Sequence, residues 1–231
     1  VSKRLCALLY RKCRRVALWA WQIEERLVEQ PERILVVGYD YESRAVADTG
    51  PIRVATMKQS LRVLWLGHIF SVQHAVLYNA TSNLEKRDAA EKEVVANAKE
   101  IAITFTPFYG EARAEQLFTL LRGHYVAVKE YSEATVVGSK LQQDAALAHL
   151  ASNADDIAVF FNGVNPNYLP KDTVRGLIAA HGAHHVLQIN QYQKKQYAQL
   201  EASWPMMRQH VYVIADTLMT ALVEQFPDKF S

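Results

Sequence analysis

LIAAHGAHHVLQINQY, residues Leu177 to Tyr192, sets two histidines inside an apolar stripe. At about 3.6 residues per turn, Val174, Leu177, Ile178, His181, His185, Ile189 and Tyr192 share one face of a helix. His181 and His185 therefore stand one turn apart where leucines would be expected, with His184 at the flank.

Working outward, the helical period holds from Met57 to the end of the chain and predicts an all-α domain. A helix over about Lys58 to Ala80 aligns Leu61, Leu64, Trp65, His68, Val72, Ala75, Val76 and Asn79, with His74 on the opposite side. Ser82 and Glu85 have the spacing of a capping box, which opens a second helix to about Thr104. The segment Thr106 to Glu111, with Pro107 and Gly110, interrupts it. A third helix, about Ala112 to Thr135, aligns Leu117, Leu120, Leu121, His124, Val128 and Tyr131. Ser139 and Gln142 form a second capping box before a fourth helix through Ala146, Leu147, Leu150, Ala154, Ile157 and Phe161. Asn162 to Asp172, rich in Asn and Pro, reads as a surface loop. The fifth helix carries the opening stretch to about Ala202. Ser203 and Pro205 read as the cap and first turn of a sixth, with Met207, Val211, Ile214, Leu218, Leu222 and Phe226 inward and His210 at the edge. No repeat of fixed period is evident, although one buried-face histidine per odd-numbered helix hints at a duplication.

The beginning of the chain has a different character. Residues 1 to 56 read as a basic lead-in, and residues 57 to 231 as the helical domain. Val1 to Gln30 suggests a basic helix, while Ile34 to Tyr41 and Ile52 to Thr56 suggest two short strands. The glycine after ILVV lacks the GxGxxG that would cradle phosphate. The apolar run Leu5 to Tyr10 is too short for a signal peptide and is broken by Arg11 to Arg15.

With 231 residues, half of them hydrophobic, the chain can bury a sizeable core. Its net charge of +2 gives no electrostatic reason to bind nucleic acid. Two cysteines, Cys6 and Cys13, make neither a disulfide framework nor a zinc pattern. No apolar run reaches the roughly 18 residues of a membrane span. Nucleophile elbows and phosphate-binding loops are missing too.

The inward histidines carry the chemistry that remains. Side chains from facing helices of a bundle converge on its core, and imidazoles there bind transition metals. His68, His124, His181 and His185 are the first candidates, with His210 beside them. Glu-x-x-His pairs of a di-iron bundle are absent, as is His-x-x-x-Glu, so an imidazole-rich mononuclear site for zinc, copper, nickel or iron is the expectation. The other reading makes the histidines core residues, each hydrogen-bonded to Asn79, Tyr131, Tyr192 or a backbone carbonyl, in a structural or protein-interaction module.

The segments LRVLWLGHIF, FTPFYGE, LLRGHYVAV, SNADDIAVFFNGVNPNY and HVYVIADTLMTALVEQFPDKF together resemble an uncharacterised bacterial helical-bundle family with a QFP-x-x-F tail. The likeness spans about Leu61 to Phe230. It implies a helical bundle with the family's histidines at His68, His124, His181 and His210, and polar residues at Asn153 and Asp216. His185 stands where the family carries a small polar residue. The resemblance also implies export in some relatives, whereas the residues themselves suggest a cytoplasmic protein.

The sequence thus predicts an up-and-down four-helix bundle with two additional helices. A histidine-lined polar site in its core would hold a metal ion or a small molecule. No nucleic acid and no transmembrane segment are expected, and a homodimer is.

Overall fold

The computed structural model describes residues 49–231. The predicted basic helix, the strand at Ile34 to Tyr41 and both cysteines lie outside the described residues. Within them the chain is an all-α up-and-down bundle without strands. Its helices are α1 (Gly50–Ala80), α2 (Leu84–Ile103), the short α3 (Thr106–Tyr109), α4 (Glu111–Val137), α5 (Lys140–Val164), α6 (Lys171–Gln193) and α7 (Tyr197–Gln225), followed by a 3-10 turn at Pro227–Lys229. No helix among the described residues is long and apolar enough to cross a membrane.

The predicted stripes are the buried faces. On α1, Leu61, Trp65, His68, Val72, Ala75 and Val76 are buried, and on α7 Met207, Val211, Ile214, Leu218 and Leu222. His74 and His149 are exposed.

Several local expectations are corrected. Ile52 to Thr56 is the first part of α1 and not a strand, because Pro51 is tolerated in a first turn and the helix starts at Gly50. A Cβ at residue 50 would run into the Phe230 carbonyl, which is why glycine serves there. Ser82 does not cap α2. It takes a left-handed φ of 58°, and Asn83 instead accepts the Lys86 amide at 3.2 Å. Ser139 does cap α5, accepting the Gln142 amide at 3.4 Å. Pro107 falls in the first turn of α3, so the expected break contains a helix of its own. The Asn- and Pro-rich connection buries Asn165 and Leu169, since Asn165 Nδ2 donates to the Ala221 carbonyl at 2.9 Å.

The largest shift concerns the last two helices. The chain turns at Lys194–Gln196, with Lys195 left-handed at φ 57°, and Ser203 and Pro205 lie inside α7. A lysine here takes the role usually filled by glycine, closing the turn through Gln196 N–H to Gln191 O at 2.8 Å. Ser203 is a buried link, donating to the Leu200 carbonyl and accepting from Gln188 Nε2.

The long helices form three antiparallel hairpins, α1–α2, α4–α5 and α6–α7. Packing runs in a closed cycle: α2 bridges α1 and α4, α5 bridges α4 and α6, and α7 bridges α6 and α1. The hairpins carry matched residues, although no fixed-period repeat was evident in the sequence. Positions 68, 124 and 181 are all histidine, separated by steps of 56 and 57 residues. The same steps relate Leu61, Leu117 and Val174; Trp65, Leu121 and Ile178; Ile101, Ile157 and Ile214; and Ala102, Ala158 and Ala215, every one of them buried. The core divides into two apolar clusters, one holding Leu61, Trp65, Leu117, Leu121, Val174 and Ile178, the other Val72, Tyr125, Val128 and Ile189. Along α1, α4 and α6 the histidines fall between the two.

If the hairpins are equivalent, Ile101→Val, Ile157→Val and Ile214→Val should each cost about 0.5–1.5 kcal/mol, the usual loss for one buried methylene. Urea denaturation of the three variants checks this. A cost confined to one hairpin would show that the match is only of sequence.

Candidate metal centre

Each histidine of the central layer is placed by the apolar neighbours one or two turns away in its own helix. Leu61, Trp65 and Val72 bracket His68, Leu117, Leu121 and Val128 bracket His124, and Val174, Ile178 and Ile189 bracket the pair His181 and His185. These side chains hold the helices at core packing distance, so the imidazoles meet in the middle. His68, His124, His181 and His185 are 1–4 % exposed.

His181 is the hub. Its ring lies 4.6 Å from His185, 5.4 Å from His68 and 5.4 Å from His124, centroid to centroid, and 6.4 Å from His210. His68 also meets His185 at 6.0 Å. Trp65 makes T-shaped contacts with both His68 and His181, at 5.9 and 5.6 Å. One nitrogen each from His68, His181 and His185 lies within 4.8 Å of the others. Ligands of tetrahedral zinc, each about 2.0 Å from the ion, stand roughly 3.3 Å apart, so small side-chain rotations would close the set.

The other two candidates are differently placed. His124 adjoins the trio, but its Nδ1 is engaged with Asn153 Oδ1 at 3.1 Å. His210 is half-buried on α7, and its Nε2 donates to the Leu177 carbonyl at 2.9 Å. Asp216 lies apart from the cluster, where it joins α7 to α1 by accepting from Arg62 at 2.6 and 2.8 Å and pairing with Lys58 at 3.0 Å. Burial alone would raise its carboxyl, and these cations outweigh that and lower it. Asn79 and Tyr131, considered as partners for the histidines, bond Ser132 and Asn190 instead.

Five buried imidazole nitrogens have no hydrogen-bond partner, His68 Nδ1, His124 Nε2, both nitrogens of His181, and His185 Nε2, and the indole Nε1 of Trp65 beside them has none either. A buried polar group left unpaired costs about 1–3 kcal/mol. Such a concentration in one layer is what a ligand set requires, because a nitrogen that is to coordinate an ion must be free of protein donors. Burial keeps these rings neutral. It pushes His68 down to about 3, with His124 adding to the effect, and His124 down to about 4 against the opposing bond from Asn153. His181 and His185 are held well below the ordinary histidine range, first by burial and then by one another and their neighbours. Neutral imidazole is the form that binds metal.

Two members of the site were not singled out from the sequence. Trp65 was read as an ordinary core residue. Asn97 on α2 donates its Nδ2 to the Leu64 carbonyl at 3.0 Å and leaves a buried Oδ1 free beside the His68 segment. The recurrence of Asn-Ala-x-x-Ile-Ala at Asn97 and Asn153 was the signal that would have found it. Comparison with protein-family models, curated proteins and solved structures finds no match to this chain.

The depressed values fix a pH dependence of stability. Unfolded histidine titrates near 6.5, so between that pH and the folded values the unfolded chain takes up protons that the folded chain refuses. Stability is fully present above pH 6.5 and falls as the pH drops toward 4 and 3, where His124 and His68 titrate in the fold. For these two residues together the loss at pH 5 is on the order of 2–4 kcal/mol. Urea midpoints at pH 7.5 and 5.0 would measure it, and equal midpoints would mean that the layer is hydrated.

Proposed function

We propose that the chain is a metal-binding protein whose centre is formed by His68, His181 and His185, with His124 adjoining, at the heart of the bundle. The observation that carries this reading is the convergence of three buried, neutral imidazoles whose nitrogens lie within 4.8 Å of one another. Private hydrogen bonds, which the structural reading requires of each histidine, are formed by His210 and by one nitrogen of His124.

The donor set narrows the ion. Imidazole nitrogens without a carboxylate suit zinc, copper or nickel better than the hard, oxygen-seeking cations, and suit iron less well than a set that includes a carboxylate. Charge narrows it further, because the ligands are neutral and the surroundings apolar. Monovalent copper brings the smallest uncompensated charge into the layer. Divalent zinc brings more, which an anion bound near the ion would offset.

Elemental analysis of purified protein, before and after incubation with zinc, copper, nickel or iron and removal of excess, tests the proposal. About one ion per chain is expected for one of these metals. His185→Val is the variant of choice, because Val72 and Val128 occupy the corresponding place in the other two hairpins and the packing is already proven for that side chain. It should keep the fold and lose at least tenfold in metal affinity. Absence of stoichiometric metal under every condition would overturn the reading and leave an interaction module.

A further inference from the structure

The three hairpins repeat more than their packing. In each, a side chain on the outer helix reaches 33 residues back to the carbonyl four residues before the layer histidine: Asn97 Nδ2 to Leu64 at 3.0 Å, Asn153 Nδ2 to Leu120 at 3.0 Å, and His210 Nε2 to Leu177 at 2.9 Å. That carbonyl has a second lone pair beyond the one its own helix uses, so the extra bond leaves the helix intact. Space for the two amides is made by glycine. A Cβ at residue 123 would come within 3.1 Å of Asn153 Nδ2, and one at residue 67 would touch Asn97 Nδ2 at 3.4 Å.

The bond to the carbonyl orients the amide. Since Nδ2 must donate to Leu120, Oδ1 of Asn153 faces the histidine and can only accept, which obliges His124 to carry its proton on Nδ1. Its Nε2 is then a bare lone pair, buried and without a partner. In the first hairpin the same components are present and the same bond is unmade: Asn97 Oδ1 and His68 Nδ1 are both buried and both without a partner.

We propose that Asn97 and Asn153 are positioning residues for the metal centre, fixing His68 and His124 as the Nδ1–H tautomer so that each offers Nε2 to one ion. In the loaded protein His68 turns its Nδ1–H onto Asn97 Oδ1, as His124 already does onto Asn153, and His124 Nε2 becomes the fourth nitrogen beside His181 and His185. This rests on the metal-binding reading above, and adds to it the fourth ligand and the two amides that orient the rings. No bond other than coordination is made or broken, and the protons stay on the nitrogens named.

Zinc affinity, measured by competition with a chromophoric chelator, and two-bond 1H–15N spectra of histidine-labelled protein test it together. Expected are an Nδ1–H tautomer at His124 in the metal-free wild type, an Nδ1–H tautomer at His68 on zinc loading, and a 10- to 100-fold loss of zinc affinity in Asn97→Leu and Asn153→Leu. Asn153→Asp, which retains an acceptor, should recover most of the affinity. Circular dichroism confirms that each variant is folded. Should Asn153→Leu fail to fold, Asn97→Leu decides, since the acceptor it removes has no partner in the metal-free protein. Wild-type zinc affinity in the folded variants would overturn the proposal while leaving the metal centre standing. A wild type that binds none of zinc, copper, nickel and iron would remove the metal reading, one that binds another of these ions but not zinc would overturn the four-nitrogen set proposed here, and an Nε2–H tautomer at His124 would by itself overturn its orientation by Asn153.

Discussion

The structure depends on a layer of uncharged imidazoles held between two apolar clusters. Histidine is welcome in a core only when its ring stays neutral and its nitrogens find partners, and here burial enforces the first condition at His68, His124, His181 and His185. The second is met only for one nitrogen of His124, through Asn153. Helix packing and site geometry are consequently one problem. The same side chains that set the spacing of α1, α4 and α6, Trp65 and Leu121 and Ile178 among them, also set how closely the rings approach.

Surface charge contributes little to this arrangement. The ion pairs from Lys129 to Glu91 and from Arg62 to Asp216 cross between helices, but their side chains are 20–33 % exposed, and pairs of this kind are worth about 0–1 kcal/mol. More specific are the polar links at the ends of the bundle. Tyr109 donates to Gln225 Oε1 at 2.8 Å, whose Nε2 donates to the Val164 carbonyl at 2.7 Å, joining α3, α5 and α7 through one side chain. Phe108, Phe226 and Phe230 stack beside it, with ring centroids 5.3 and 5.7 Å from Phe108.

The bundle, its inward faces and the central histidines were legible in the sequence because they follow from a period of 3.6 and from the rarity of histidine in an apolar stripe. His68, His181 and His185 could be proposed as neighbours before any coordinates, since each lies at the centre of its stripe. Other features left no such trace. The turn at Lys195 has neither glycine nor proline, so Pro205, which α7 absorbs, drew the boundary to itself. Asn83 caps α2 although Ser82 has the more familiar spacing to Glu85, and a single positive φ decides between them. The threefold match was hidden because Val, Leu, Ile, Trp and Met replace one another freely on a buried face. Asn97, Asn153 and His210 share a hydrogen bond and not a residue type. The candidate site stands on its geometry.

One consequence concerns the order in which the chain assembles. Each hairpin closes through contacts between residues a few tens of positions apart, and such local pairing forms quickly. The histidine layer is incomplete within any one hairpin, since only His181 and His185 share one. It appears only when the three dock, and that step removes the rings from water. Docking therefore requires neutral imidazoles, which makes it the acid-sensitive step of assembly, and an ion that gathers the rings would favour it.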